Sequence, residues 1–136
     1  MSLKTLDYQI TTPGRDLNKT FRLTEMPAAQ GEKWAMRALL ALVAGGVDLP
    51  EGFEDSGMAG LATVGLRALS GLQWKDAEPL LDEMMACVQV LPDSKKSYLV
   101  RPLLEGDIEE VRTRIELRTQ VWKLHTDFLM PGAELK

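Results

Sequence analysis

The sequence predicts a mainly helical protein, with about four helices packed as one domain over residues 1–136 and a short N-terminal β-hairpin. Three observations predict it. Apolar residues recur at helical spacing through the middle and C-terminal parts of the chain. The convincing polar–apolar alternation, Lys19-Thr20-Phe21-Arg22-Leu23-Thr24, lies near the N-terminus. Glycines and prolines gather between the periodic stretches, where they punctuate rather than interrupt.

The hairpin is expected at about 7–24. Tyr8-Gln9-Ile10-Thr11-Thr12 is rich in strand-forming types, and Pro13-Gly14-Arg15-Asp16 supplies turn chemistry. A lone hairpin is marginal in water, so it must pack on the helices or on another copy. A first helix is expected at about 28–44. Pro27 suits its first turn, Ala35, Leu39, Leu42 and Val43 share a side around Ala38, and Gly45-Gly46 ends it. Residues 47–56 form an acidic loop. A second helix follows at about 58–70, with Met58, Leu61, Ala62, Gly65, Leu69 and Leu72 on one face. Gly60 and Gly65 each weaken that helix by roughly 1 kcal/mol relative to alanine, which makes sense if another backbone approaches closely.

A third helix is expected at about 76–90. Pro79 is tolerated only in a first turn, which sets the start near Lys75 or Asp76. Its stripe is Ala77, Leu80, Leu81, Met84, Cys87 or Val88, and Leu91. A polar loop follows at 92–97. Tyr98-Leu99-Val100 is expected to be extended, because Pro102 biases Arg101 away from helix. The fourth helix, about 107–129, opens on a capping-box pattern, Asp107 with Glu110, and is stopped by Pro131-Gly132. It carries two offset apolar stripes. One begins Ile108, Val111, Ile115 and Trp122; the other is Leu117, Val121, Leu124 and Phe128. One stripe can dock on the body of the domain, and two imply that part of the helix meets something else.

The composition, 45% hydrophobic with a net charge of −4, is that of a globular chain. An acidic balance disfavours nucleic acid and anionic membrane as partners. The longest apolar run, 38–43, is far too short to span a bilayer, and no signal peptide is apparent. One cysteine and one histidine exclude an internal disulfide and a Cys/His zinc site.

The residues that carry chemistry elsewhere have plain structural readings. His125 lacks a nucleophile or suitably placed carboxylate and sits near a helix C-terminus, where positive charge is tolerated. Cys87 follows Met84-Met85-Ala86 inside the expected third helix and reads as a buried, inert thiol. Asp82-Glu83 and Glu109-Glu110 lack the spacing of a metal loop. Arg112, Arg114, Arg118 and Lys123 are interleaved with Glu109, Glu110 and Glu116, which reads as a salt-bridged surface. Gly57, Gly60 and Gly65 are not followed by the lysine of a phosphate loop. The residues therefore imply no enzyme, cofactor or metal.

Several segments together resemble the tail assembly chaperones of long-tailed phages and prophages. They are Glu32-Lys33-Trp34-Ala35 with Arg37-Ala38-Leu39-Leu40, Gly57-Met58-Ala59, Leu80-Leu81-Asp82-Glu83-Met84-Met85, and Arg101-Pro102-Leu103 leading into Asp107-Ile108-Glu109-Glu110-Val111. The resemblance implies a non-enzymatic helper in the bacterial host cytoplasm, not expected in the mature virion. It implies binding to the tape measure protein while the tail tube polymerises, and to the tube protein mainly through a frameshifted longer form. The expected contact surface is the stripe Leu117, Val121, Leu124 and Phe128, which serves equally for a homo-oligomer or for the monomer core. The alternative is a small helical regulator binding DNA or another regulatory protein. Helices two and three have helix-turn-helix spacing, but Asp76, Glu78, Asp82 and Glu83 make a poor recognition helix.

Overall fold

The computed structural model describes residues 3–46 and 71–126. The acidic loop, the second expected helix and residues beyond Thr126 lie outside them. In chain order the described elements are β1 (Thr5–Gln9), β2 (Thr20–Thr24), α1 (Ala28–Ala44), α2 (Trp74–Met85), β3 (Val88–Leu91), β4 (Arg101–Pro102) and α3 (Val111–Thr126). This corrects the expected mainly helical bundle: among the described residues three helices accompany a four-stranded antiparallel sheet of order β1-β2-β3-β4. The physical reason lies at residues 86–91. Val88-Gln89-Val90-Leu91 has apolar residues compatible with a helical stripe, but it also alternates and contains two β-branched residues. Pairing with β2 selects the strand, so the third helix ends at Met85 rather than near 90.

The chain divides into two compact units, each described by itself. The first comprises Met1–Glu25 and Glu83–Leu124, and contains the sheet. Tyr8 faces Phe21 and Phe21 faces Val90, while Leu6, Leu23 and Val88 align one pair further on. Alternation therefore places Phe21, Leu23, Val88 and Val90 on one face, and all four are buried. Asp7 and Arg22 are on the other face, where Arg22 Nε donates to Asp7 Oδ1 at 2.7 Å. The hairpin connection closes through Ile10 N–H to Lys19 O at 2.9 Å and Asn18 N–H to Ile10 O at 2.8 Å. Asn18 takes a left-handed φ of 72°, a conformation asparagine tolerates better than most residues.

The second unit comprises Met26–Asp82 and His125–Lys136. Along α1 it buries Gly31, Trp34, Ala35, Ala38, Leu39 and Leu42, the 3.6-residue pattern of one helix face, whereas Val43 is exposed. Trp34 Nε1–H donates to Leu80 O at 3.0 Å, which joins α1 to α2. At the C-terminus of α1, Gly45 N–H donates to Ala41 O and Leu42 O, and Gly46 follows at φ 88°. Helix α2 begins at Trp74, with the N–H groups of Asp76 and Ala77 on Gln73 O. Pro79 is therefore beyond the first turn, contrary to its expected place, and removes the N–H that would meet Lys75 O.

Among the described residues no helix is long and apolar enough to cross a membrane.

Candidate functional site

Helix α3 starts four residues later than the capping box predicts, and another carboxylate holds the two residues that lead into it. Asp16, buried in the hairpin connection, accepts the N–H of Glu109 at 3.0 Å and of Glu110 at 3.0 Å. It also accepts the Thr113 hydroxyl at 2.7 Å and Lys19 Nζ at 2.8 Å. Negative charge beside a helix N-terminus meets the favourable end of the macrodipole. Burial works to raise the Asp16 pKa, but the hydrogen bonds from Lys19, Thr113, Glu109 and Glu110 outweigh it and hold it well below the usual carboxylate range. Further along α3, Glu116 accepts the Tyr8 hydroxyl, and that bond, with burial adding to it, pushes the tyrosine up to about 12.

Asp107, released from capping, ties down the preceding loop. Its carboxylate takes both terminal nitrogens of Arg101 at 2.8 Å, and the N–H of Leu104 at 2.6 Å. The Arg101 hydrogen bond is the chief reason its pKa falls to about 2. Next to this clamp, residues 92–100 are all exposed. They are ordered by local bonds: Lys95 N–H to Asp93 Oδ1 at 3.0 Å, Lys96 N–H to Asp93 O at 2.9 Å and Leu99 N–H to Lys96 O at 2.9 Å. Tyr98 is 74% exposed and Leu104 61%, with Leu99 and Val100 also on the surface.

An open groove of about 690 Å³ lies beside this segment, lined by Leu17, Lys19, Thr20, Phe21, Leu91, Ser94 and Arg101 among others. Its charges are largely answered from within the unit, since Lys19 meets Asp16 and Glu109, and Arg101 meets Asp107. Thr20 Oγ1, on its wall, is buried without a hydrogen-bond partner.

On the sequence alone, the stripe Leu117, Val121, Leu124 and Phe128 serves equally for a partner, a homo-oligomer or the monomer core. Leu117, Val121 and Leu124 are buried, and Phe128 lies outside the described residues. In the other stripe Val111 is 75% exposed and Ile115 52%, while Ile108 and Trp122 are half-buried. The burial of Leu117, Val121 and Leu124 matches the monomer-core alternative that the sequence leaves open for this stripe. Helical spacing distinguishes two faces but not which of them the sheet-bearing unit covers.

The histidine and cysteine have structural roles. His125 Nε2 accepts the Met26 N–H at 2.9 Å, which requires the imidazole to be unprotonated at that nitrogen. Cys87 is buried and its thiol lies 3.6 Å from Glu83 O. Burial, with the Glu83 charge adding to it, pushes the thiol up to about 11, which opposes thiolate chemistry. Among the described residues no three His, Cys, Asp or Glu side chains gather to hold a metal ion.

Sequence reasoning missed two features here. Asp16 reads as a turn residue, and nothing local ties it to residues 93 positions away. The exposed segment had a visible signal: between Ser94 and Leu104 there are three cations and no carboxylate, in a chain of net charge −4.

No family model matches the chain, and neither a curated protein nor a solved structure matches it.

Proposed function

We propose that this chain is a phage tail assembly chaperone: a non-enzymatic protein that binds the tape measure protein and assists tail tube polymerisation in the bacterial host cytoplasm. The segments that resemble that family motivate the reading. The observation that carries it is the amount of large apolar side chain left at the surface of the sheet-bearing unit: Tyr98, Leu99, Val100, Leu104, Val111 and Ile115. Scattered exposed apolar residues are ordinary, but a run of three beside a pinned loop favours use as a contact surface. A client with exposed apolar helical stripes needs such surfaces on its partner.

The test is co-expression with the tape measure protein of the same phage or prophage, followed by size-exclusion chromatography. The expected result is co-elution, with the tape measure protein soluble only when this chain is present. A tape measure protein that is equally insoluble with and without it, and no joint peak, would sink the reading.

A further inference from the structure

We propose that residues 95–104 form a docking surface for an acidic amphipathic helix. The inference rests on the chaperone reading only for the identity of the natural partner; the surface itself is argued from the chain. Its apolar contribution is Tyr98, Leu99, Val100 and Leu104, all exposed. Its charge comes from Lys95 and Lys96, which have no ion-pair partner among the described residues, whereas Arg101 is answered by Asp107. No carboxylate occurs from Ser94 to Leu104. A partner that covers this stretch must therefore bring apolar side chains flanked by negative charge. The exposed face of α3 differs in this respect: around Val111 and Ile115 the arginines alternate with Glu109, Glu110 and Glu116.

The backbone decides the partner's conformation. β4 is an edge strand, and a segment could in principle add to it. Thr24 N–H donates to Cys87 O, so alternation turns Gln89 and Leu91 toward β2, and Val88 and Val90 toward β4. Val90 pairs with Arg101, which puts the backbone of Arg101 inward and that of Pro102 on the open edge. Proline has no N–H to donate there, and this blocks strand addition. A partner held by side chains alone must satisfy its own backbone, and a helix does so. The surface is also preorganised. Asp107 fixes both Arg101, next to Val100, and Leu104, while the Lys96–Leu99 turn holds Tyr98 between its ends. Little ordering is left to oppose binding.

The probe is a fluorescein-labelled synthetic helix with a leucine face flanked by glutamates, and a twin with lysines in their place. Binding to the full chain is read by anisotropy. The glutamate peptide is expected to bind at least about tenfold more tightly than its twin, with the advantage shrinking as salt rises. Lys95→Glu with Lys96→Glu should invert the preference. Leu99→Asp should weaken the glutamate peptide at least about tenfold, and Ile115→Asp should leave it within about twofold. All four positions are exposed, and unchanged thermal unfolding confirms that the variants are folded. No preference between the twins, no binding of the glutamate peptide, or unaltered binding by Leu99→Asp would overturn the proposal. The tape measure co-elution is scored separately. Loss there with the peptide results intact would reject the chaperone reading and leave the surface standing.

Discussion

Helices α1 and α3 begin in opposite ways. α1 follows Pro27, whose φ of −54° and ψ of 151° lead into the helix with no side-chain cap, and Gly45 and Gly46 close its far end. α3 begins just after Glu109 and Glu110, whose N–H groups donate to a carboxylate of the hairpin connection more than ninety residues earlier. The first helix is bounded by residues adjacent to it in sequence. The second is bounded by a tertiary contact. A helix of the first kind can be delimited by reading along the chain, whereas one of the second kind cannot be placed until the sheet is known.

The largest expected effect is on what holds α1 once it is formed. Trp34 is 2% exposed and donates to Leu80 O. Trp34→Ala should destabilise the protein by about 3–5 kcal/mol, through lost burial, the cavity and an orphaned carbonyl bond. Trp34→Phe keeps most of the volume but loses the N–H, and should cost about 1–2 kcal/mol. Urea unfolding measures both. Equal losses for the two variants would mean that the hydrogen bond, and not the packing, dominates.

The next pair tests the comparison directly. Asp16→Ala strips two N–H groups and the Thr113 hydroxyl of their buried acceptor, and should cost roughly 2–4 kcal/mol. Asp107→Ala should cost only about 1 kcal/mol, because the Leu104 N–H it releases is exposed to water. Amide hydrogen exchange separates the roles. Protection of the Glu109 and Glu110 N–H groups should collapse in the Asp16 variant and persist in the Asp107 variant. The reverse pattern would restore the capping box the sequence suggests.

The same carboxylates predict an acid limb. Both have folded pKa values below the ordinary range, so the unfolded chain takes up protons first. Their stabilisation is complete above the unfolded value of about 4 and is lost as pH falls through the folded values. For Asp107 that window closes near 2, and for Asp16 it extends lower. Stability measured by urea midpoint should therefore fall steadily below about pH 4, and Asp16→Asn should flatten the slope. An unchanged slope in that variant would show that Asp16 is not the group responsible.

Legibility in the sequence follows the range of the forces involved. The first helix and the hairpin rest on periodicity, proline and glycine, all of which act over a few residues. β3 is hidden in the sequence because Leu80, Met84, Cys87, Val88 and Leu91 also satisfy a helical stripe, and all five are buried. Burial was readable there, but the change from helix to strand at Ala86 was set by pairing with β2, over sixty residues away. For α3 the two stripes were readable, but their assignment to interior and surface was not. The cationic, apolar run at 95–104 was in plain view, and only its exposure required the structure.

The smallest effect sharpens the contrast between the two helix starts. Pro27 stands at the N-cap of α1 in an extended conformation that serine adopts readily. Pro27→Ser would supply the missing side-chain acceptor, stabilising by about 0.5–1 kcal/mol. It would also release the proline's constraint on the unfolded chain, which costs a similar amount. The net change in unfolding free energy should lie within about 0.5 kcal/mol of zero. A loss well beyond that would mean that Pro27 itself fixes the entry into α1. The two helix starts would then both depend on a single irreplaceable residue, one local and one distant, rather than on opposite principles.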